Sequence, residues 1–217
     1  MLYIVATPIG NLQDITFRAV EVLKSVDLIA CEDTRHSSIL LQHYGINVPT
    51  TSFFQHNRFT KGEYILKLLQ EGKNIALISD AGSPGILDPG YNLVNLAIAN
   101  NIDLTFIPGP TAFVNALVLS GKPAHEFIFA GFLPNRKIAR RNQLVKLCAL
   151  EKTVVFYESS HRILSVLEDI DFVLKNKPIC VARELTKKFE EVLRGAAAEI
   201  AVKLAKDKPR GEFVVLI

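Results

Sequence analysis

The sequence predicts an α/β fold. Short apolar, β-branched segments alternate with stretches whose apolar residues recur at helical spacing, which is the pattern of strands joined by crossover helices. The 217 residues are 49% hydrophobic, so a well-packed core is expected. The apolar segment Met1–Val5 is too short for a signal peptide, and no apolar stretch approaches the roughly 18 residues of a membrane span. We therefore expect a soluble, cytoplasmic protein.

The first half of the chain alternates predicted strands with predicted helices. The strands are Leu2–Val5, Asp27–Ala30, Asn74–Ser79 and Leu104–Ile107. The helices are Thr16–Lys24, Thr34–His43, Lys61–Gln70 and Tyr91–Ala99. Thr111 is placed to cap a further helix that runs through Leu119, because its hydroxyl can accept the early backbone N–H groups.

A polar, glycine- and proline-containing segment, Ser120–His125, then interrupts the apolar periodicity. We place the domain boundary there, giving an N-terminal domain of residues 1–120 and a C-terminal domain of residues 121–217. Strands are predicted in the second domain at Glu126–Gly131, Thr153–Tyr157, Ile179–Arg183, Glu191–Arg194 and Glu212–Ile217. Two of these follow tight polar turns instead of crossover helices, which predicts a mixed sheet.

Charge and metal-ligand composition limit the possible functions only loosely. The net charge of +3, from 25 basic and 22 acidic residues, is too small to indicate nucleic-acid binding by itself. The three cysteines are far apart in apolar segments, which predicts buried thiols and no redox pair. No histidine spacing matches a zinc site, so no metal is expected.

Three predicted strands of the first half are followed by segments rich in small residues. These segments are Ala6–Leu12, Asp80–Gly85 and Pro108–Ala112. Ligands of open α/β sheets bind beyond the carboxyl ends of strands, so three such loops favour a composite small-molecule pocket over ordinary turns. Neither GxxxxGK[ST] nor GxGxxG occurs, which argues against a P-loop, a dinucleotide fold and the Rossmann-type methyltransferases.

The order of these motifs resembles the ribosomal RNA small subunit methyltransferase I family of tetrapyrrole methylases. The resemblance rests on Val5–Leu12, Asp14–Thr16, Glu32–Arg35, Ile78–Pro84, Asp88–Gly90, Ile107–Pro110, Gly131–Pro134 and Arg183–Lys187. One departure is Ser160, where the family pattern has proline. The chain ends at Ile217, whereas members of that family commonly continue into a further C-terminal segment.

The resemblance implies a homodimer of two-domain subunits that binds S-adenosylmethionine in the cleft between the domains. It also implies methyl transfer to the 2′-oxygen of a cytidine in small-subunit (16S) ribosomal RNA. The donor-binding positions that it implies are Pro8, Asp80, Ala81, Gly82, Ser83, Pro84, Ile86, Thr111, Ala112, Phe132, Leu133, Phe156, Tyr157 and Ala182. Backbone N–H groups of glycine-rich turns suit the methionine end of such a donor.

Three charged clusters are candidates for the acceptor side of the site. Glu184 and Lys187 follow a predicted strand beside Arg183, and we predict that Glu184 accepts or orients the ribose hydroxyl proton. The alternative is a solvated edge with internal ion pairs. In Glu32–Arg35 one of the two adjacent carboxylates is expected to orient Arg35 near the substrate entrance, with helix capping as the alternative. The predicted substrate contacts there are Glu32 and Arg35.

The densest basic segment of the chain begins the first helix of the second domain. It contains Arg136, Lys137, Arg140 and Arg141. Together with Arg183, these residues are predicted to contact RNA phosphates, although such a segment is also typical of a solvated helix face. Two other functions stay open: methylation of a tetrapyrrole, another small molecule or a protein side chain, and a ribosome-associated ligand-binding module without catalysis.

Overall fold

The computed structural model describes residues 1–217, which divide into two units, Met1–Thr111 and Ala112–Ile217. The division lies nine residues before the boundary expected between residues 120 and 121. The difference arises from the helix Ala112–Ser120, which contacts four strands of the second unit. The glycine- and proline-containing segment therefore follows the first helix of the second unit.

The first unit is built on a five-stranded parallel sheet. Its strands are β1 (Leu2–Val5), β2 (Leu28–Cys31), β3 (Thr50–Ser52), β4 (Ile75–Ile78) and β5 (Leu104–Ile107), in the order β3-β2-β4-β1-β5. Its helices are α1 (Phe17–Ser25), α2 (Thr34–His43), α3 (Arg58–Gln70) and α4 (Gly90–Ala99). A 3₁₀ turn covers Leu12–Asp14. The four strands and four helices predicted for this half are confirmed within three residues at each end, and the short strand β3 is an addition.

Helices cover both faces of this sheet. Side chains of α1 and α2, among them Leu23 and Leu41, pack with Ile29 and Ile78 on one face. Side chains of α3 and α4 pack with Leu2, Leu28, Ala30, Ile75 and Leu77 on the other. Strands buried on both faces have no polar side to present, which is why they read as continuous apolar runs in the sequence.

The second unit contains a mixed five-stranded sheet. Its strands are β6 (Phe127–Phe132), β7 (Thr153–Ser159), β8 (Pro178–Arg183), β9 (Glu191–Ala196) and β10 (Glu212–Leu216), in the order β6-β7-β10-β8-β9. Only β6 and β7 are parallel, and the other three pairs are antiparallel, so the predicted mixed sheet is confirmed. Its helices are α5 (Ala112–Ser120), α6 (Lys137–Cys148), α7 (Ile163–Leu174) and α8 (Ala197–Ala205).

The helices of the second unit cover its sheet unequally. Buried residues of α6, α7 and α8 form one core with Val154, Phe156, Val181 and Val215. Helix α5 lies outside that core, and its Phe113 ring stacks on Phe129 instead. Of the three cysteines, Cys31 and Cys180 are buried as expected, whereas Cys148 is half-buried. No helix is both long and apolar enough to cross a membrane.

Candidate functional site

The three glycine- and proline-rich loops of the first unit converge at the carboxyl ends of its strands. Strand β1 lies between β4 and β5, and all three are parallel, so the loops that follow them begin side by side. Thr7 and Gly82 exchange two backbone hydrogen bonds of 2.8 and 3.0 Å. The buried Thr7 hydroxyl also donates to the Ser79 carbonyl at 3.1 Å. These contacts join the first two loops into one structure.

The third loop is joined to the other two through small residues. The hydroxyls of Ser83 and Thr111 lie 2.7 Å apart. A Cβ atom at Gly109 would lie 2.9 Å from the Cβ of Ala6, a distance that side chains essentially never adopt. Glycine at position 109 is therefore required by the close approach of the first and third loops. The Thr111 hydroxyl bonds to Ser83, and the Phe113 N–H in the first turn of α5 donates to the Tyr157 hydroxyl, so capping of α5 by Thr111 stays a prediction.

The loop after β4 leaves backbone donors available for a ligand. Within Met1–Thr111 the N–H groups of Ala81 and Ser83 donate to no other group. Ala81 and Ile86 are exposed, whereas Pro84 and Pro8 are buried beneath the loops. Unpaired N–H groups in a tight turn form a site suited to an anionic group such as a carboxylate. These residues therefore fit the amino-acid end of the implied methyl donor.

Asp88 closes the loop after β4 and was not singled out as a site residue in the sequence. Its carboxylate accepts the Gly85 N–H at 2.9 Å and the Gly90 N–H at 2.6 Å. A Cβ at Gly90 would lie 2.7 Å from the Asp88 Oδ1 and 2.8 Å from the Gly85 nitrogen. Burial raises the pKa of Asp88, and its backbone hydrogen bonds oppose that shift. Asp88 thus fixes the shape of the segment between Gly85 and Gly90, which carries Ile86 and directly follows Ser83 and Pro84.

The segment after β2 lies next to the β4 loop and resolves the Glu32–Arg35 prediction. The Asp33 N–H donates to the Asp80 carboxylate at 3.1 Å. Asp33 both caps α2, by accepting the Arg35 N–H at 2.9 Å, and pairs with the Arg35 guanidinium at 2.7 Å. Asp33 therefore both caps α2 and orients Arg35, while the place of Arg35 near a substrate entrance stays a prediction. This pairing holds the pKa of Asp33 well below its usual range.

Glu32 is the acidic neighbour that does not pair with Arg35. Burial, followed by the nearby Asp80 and Asp88 carboxylates, raises its pKa above the ordinary value of 4.5. The folded chain therefore binds the Glu32 proton more tightly than the unfolded chain, and the free energy of unfolding falls as pH rises above this ordinary value. Glu32→Gln is expected to increase the free energy of unfolding at pH 7 and to change it little at pH 4.

Urea denaturation of both proteins at the two pH values measures this effect. Glu21→Gln, which removes an exposed carboxylate from α1, serves as the matched control. An increase that is equally large at pH 4, or that also occurs in the control, would contradict the assignment.

In the second unit, three of the predicted donor positions share one row of the sheet. Phe132 pairs with Tyr157 on β7, Tyr157 pairs with Val214 on β10, and Val214 pairs with Ala182 on β8. Paired residues project to the same face of a sheet. The Phe132 ring is exposed and lies 5.9 Å from the Tyr157 ring. The structure therefore brings these three side chains to the face that α6, α7 and α8 do not cover.

Two other predicted donor positions in this unit point into the core. Leu133 and Phe156 are buried among the side chains of α6 and α7. Their side chains are therefore not available to a ligand on the opposite face, and only their backbone groups could contact one. Donor binding at the Leu133 and Phe156 positions therefore stays a prediction that concerns their backbone groups. Ala112 begins α5 and is half-buried.

Phe132 reaches its row through an irregularity in β6. Between Phe129 and Phe132 the pairing with β7 advances by three residues on β6 but by two on β7. Gly131 supplies the extra residue with a φ of 65°, a conformation that favours glycine. Because of this bulge, Phe129 and Phe132 both face Tyr157 although they are separated by an odd number of positions.

Glu184 and Lys187 belong to one ion cluster at the end of β8. The Lys187 ammonium donates to Glu184 Oε1 at 3.0 Å and to Glu212 Oε2 at 3.1 Å. The Glu212 N–H also donates to Glu184 Oε1, at 3.2 Å, which leaves Glu184 Oε2 without a donor. Burial lowers the pKa of Lys187, but its hydrogen bonds to both carboxylates outweigh burial and raise it. Lys187 is thus an ammonium ion and not a neutral base.

The predicted phosphate-binding residues do not form one exposed surface. Arg140 is buried, and its Nε donates to Asp169 at 2.8 Å, while its Nη1 donates to the Asn135 carbonyl at 3.1 Å. Arg141 donates to the same carboxylate at 2.6 Å and lies over the Phe172 ring. The prediction that both arginines contact RNA is corrected, because Asp169 holds them against α7.

The remaining predicted substrate residues differ in how free they are. Arg136 and Lys137 are exposed and line an open depression of about 620 Å³ at the start of α6. Arg183 pairs with Glu191 at 2.7 Å. Arg162, which was not predicted as a site residue, donates to the Leu133 carbonyl at 2.8 Å and pairs with the buried Glu158 at 3.2 Å. The available signal for it was its place two residues after Ser160, where the sequence departs from the family pattern.

Comparisons with known proteins identify the family of the chain. A family model described as Tetrapyrrole (Corrin/Porphyrin) Methylases matches residues 1–201. The chain is 48% identical to a protein of Escherichia coli O157:H7 named Ribosomal RNA small subunit methyltransferase I, over all of this chain and 77% of that protein. Proteins of the same name from Synechocystis and Thermotoga maritima are 46% and 45% identical to this chain over its whole length. The two matches span 78% of the Synechocystis protein and 97% of the Thermotoga maritima protein.

Solved structures resemble the chain at lower sequence identity. A cobalt precorrin-4 methyltransferase matches with a TM-score of 0.72 at 15% identity, over 99% of this chain and 93% of that one. The uroporphyrin-III-C-methyltransferase of Thermus thermophilus matches with a TM-score of 0.65 at 18% identity, over 99% and 93%. At these identities the likeness concerns the fold alone.

Proposed function

This chain belongs to the tetrapyrrole methylase family, and from that membership we propose that it methylates small-subunit ribosomal RNA with S-adenosylmethionine as donor. The chain is a methyltransferase, as its family and its relatives are. The observation that carries the choice of acceptor is the identity of 45 to 48% over the entire chain to proteins named for this RNA. The solved tetrapyrrole enzymes share only the fold.

The proposed donor site uses the converging loops of the first unit. The N–H groups of Ala81 and Ser83 suit the donor carboxylate, and Gly82 and Gly109 keep the backbones close enough to leave no side chain in the way. When bound, S-adenosylmethionine supplies an activated methyl group on a sulfonium sulfur. The remaining positions implied by the family resemblance, Phe132, Tyr157 and Ala182 among them, are proposed as further donor contacts.

Removing the Asp88 carboxylate tests the donor site. Asp88→Ala is expected to weaken S-adenosylmethionine binding by about 10- to 100-fold, because hydrogen bonds to a charged acceptor contribute about 1.5–3 kcal/mol and the freed N–H groups would let the loop change shape. Isothermal titration calorimetry measures the affinity. Asp103→Ala removes an exposed carboxylate from the same unit and is expected to bind normally.

Unchanged donor affinity in Asp88→Ala, with a lowered melting temperature, would contradict this role for the loop. It would show that the carboxylate contributes to folding only.

The proposed acceptor is the 2′-hydroxyl of a cytidine. Transfer requires the attacking oxygen, the methyl carbon and the sulfur in line, so positioning supplies much of the catalysis. Glu184 is proposed to accept the hydroxyl proton through Oε2, while Lys187 holds Oε1 in place. Exposed Arg35, Arg136 and Lys137 are proposed to contact phosphates of the RNA.

The function is tested with radiolabelled donor and small ribosomal subunits from a strain that lacks this modification. We expect label in the RNA, at a single position, with the methyl group on a ribose. Label in protein or in a small molecule only would contradict the proposed acceptor, and donor binding without any transfer would contradict catalysis. A homodimer in the cytoplasm is proposed as the active form, and analytical ultracentrifugation checks the dimer.

A further inference from the structure

The loop before α3 and the first turns of α3 carry a group of exposed rings and half-buried cations that the proposed reaction does not use. This aromatic-basic surface consists of Phe54, His56, Arg58, Phe59, Lys61 and Tyr64. Phe59 is 70% exposed, Tyr64 47% and Phe54 37%. The buried face of the same helix, Gly62, Ile65 and Leu69, already supplies its packing against the sheet. The exposed rings are therefore not needed for the core.

Each exposed ring has a cationic or imidazole neighbour. The Arg58 guanidinium lies 4.8 Å from the centre of the Phe59 ring, and the Lys61 ammonium lies 5.3 Å from that of Tyr64. The Phe54 and His56 rings meet edge to face at 6.2 Å. The Arg58 Nε is buried and has no hydrogen-bond partner. The arginine side chain thus packs against the Phe59 ring.

The backbone under this surface is held in a defined shape. The Asn57 side chain accepts the Phe54 N–H at 2.8 Å and donates to the Ser52 carbonyl at 3.2 Å. These bonds close the turn between β3 and α3. Phe54 and His56 are therefore presented by an ordered turn, and Phe59 and Tyr64 by the helix that follows it.

The surface begins beside the proposed substrate entrance. Strands β2 and β3 are parallel neighbours, and the Phe53 N–H donates to the Cys31 carbonyl at 2.8 Å. Glu32 follows Cys31 directly, and Phe54 follows Phe53. Because neighbouring strands lie about 4.8 Å apart, the aromatic-basic surface starts next to the Glu32–Arg35 segment. It lies at the carboxyl ends of the strands, as the proposed donor loops do.

We propose that the aromatic-basic surface binds unpaired nucleotides of the substrate RNA, with bases stacked on Phe59 and Tyr64 and phosphates near Arg58 and Lys61. This rests on the proposed function and adds to it the surface that holds the RNA beside the modified nucleotide. Between Phe54 and Lys67 the cations are Arg58, Lys61 and Lys67, against the single carboxylate of Glu63. Cations interleaved with exposed rings match single-stranded RNA, whose bases stack on aromatic side chains and whose backbone is anionic.

Binding of a short single-stranded RNA oligonucleotide, followed by fluorescence anisotropy, tests the proposal. Phe59→Ala and Tyr64→Ala are each expected to weaken binding about 5- to 150-fold, which is the usual loss for one stacked base. Phe59→Trp is expected to bind at least as well as the natural chain, because it keeps a ring for stacking. The melting temperature and S-adenosylmethionine affinity of all three variants should be unchanged.

Ile98→Ala is the control. Ile98 is exposed near the C-terminal end of α4. Because α4 runs back from the carboxyl ends of the strands, Ile98 lies near their amino ends. Its RNA affinity is expected to stay normal.

The outcomes separate this proposal from the proposed function. Unchanged oligonucleotide affinity in both alanine variants would overturn the proposal, and so would a loss seen only with assembled subunits, which would indicate a ribosomal protein as the partner. Methyl transfer by the natural chain is measured separately. If the natural chain transfers no methyl group but Phe59→Ala still loses RNA affinity, the proposed function is contradicted and RNA binding by the aromatic-basic surface is supported.

Discussion

Asp169→Ala is expected to lower the free energy of unfolding by about 3–5 kcal/mol, because it leaves a buried guanidinium without its counter-ion. Asp169 is fully buried and accepts hydrogen bonds from Arg140 at 2.8 Å and Arg141 at 2.6 Å. It is the only acidic partner of either arginine, and it ties α6 to α7. Urea denaturation followed by circular dichroism measures the change.

Two further variants identify the cause. Glu168→Ala removes the exposed neighbouring carboxylate and is expected to change stability by less than about 0.5 kcal/mol. The double variant Asp169→Leu with Arg140→Met replaces the buried pair with apolar side chains, which is often nearly neutral, and should recover part of the loss. A loss below about 1 kcal/mol in Asp169→Ala would show that the site admits water or relaxes.

Glu184→Gln is expected to reduce kcat by about 100-fold or more, which is the usual contribution of a general base. The amide oxygen can still accept the Lys187 and Glu212 donors that hold Glu184 Oε1, so the cluster should keep its shape. The amide cannot accept the ribose proton. Donor affinity and melting temperature are therefore expected to stay close to those of the natural chain.

Glu212→Gln is the matched control for this prediction. It removes a carboxylate of the same cluster, also paired with Lys187, whose side chain is 80% exposed. Single-turnover methyl transfer to small subunits measures both variants. Near-normal turnover in Glu184→Gln would limit Glu184 to the ion cluster, and equal losses in both variants would point to the charge of the cluster instead of one base.

The fold was predictable from the sequence where buried segments show a regular spacing of apolar residues. Strands β1 and β5 occupy the predicted residues, and α2 does as well. Strand β3 was missed because its three residues, Thr50–Ser52, are polar and lie at the sheet edge. An edge strand needs few apolar residues, so its pairing depends on its neighbour β2 and not on its own composition.

The candidate site was predictable where local backbone chemistry defines it. Small residues marked the loops that Thr7, Gly82 and Gly109 bring together, because the close approaches themselves require such residues. Which charged side chains are exposed was less predictable. In the sequence Arg140 belongs to a basic segment that is expected to be exposed, and its partner Asp169 is 29 residues away. Only tertiary packing decides which charges of such a segment remain available.

The bulge in β6 makes the backbone conformation of one residue decide which face an aromatic ring occupies. Phe129 and Phe132 are three positions apart, and they share a face because Gly131 is the extra residue of the bulge. A strand of the same length without the bulge would alternate regularly and turn Phe132 toward the side covered by α6, α7 and α8. Any natural or engineered variant of this length that keeps the ring beside Tyr157 must therefore have a residue at position 131 that tolerates a positive φ.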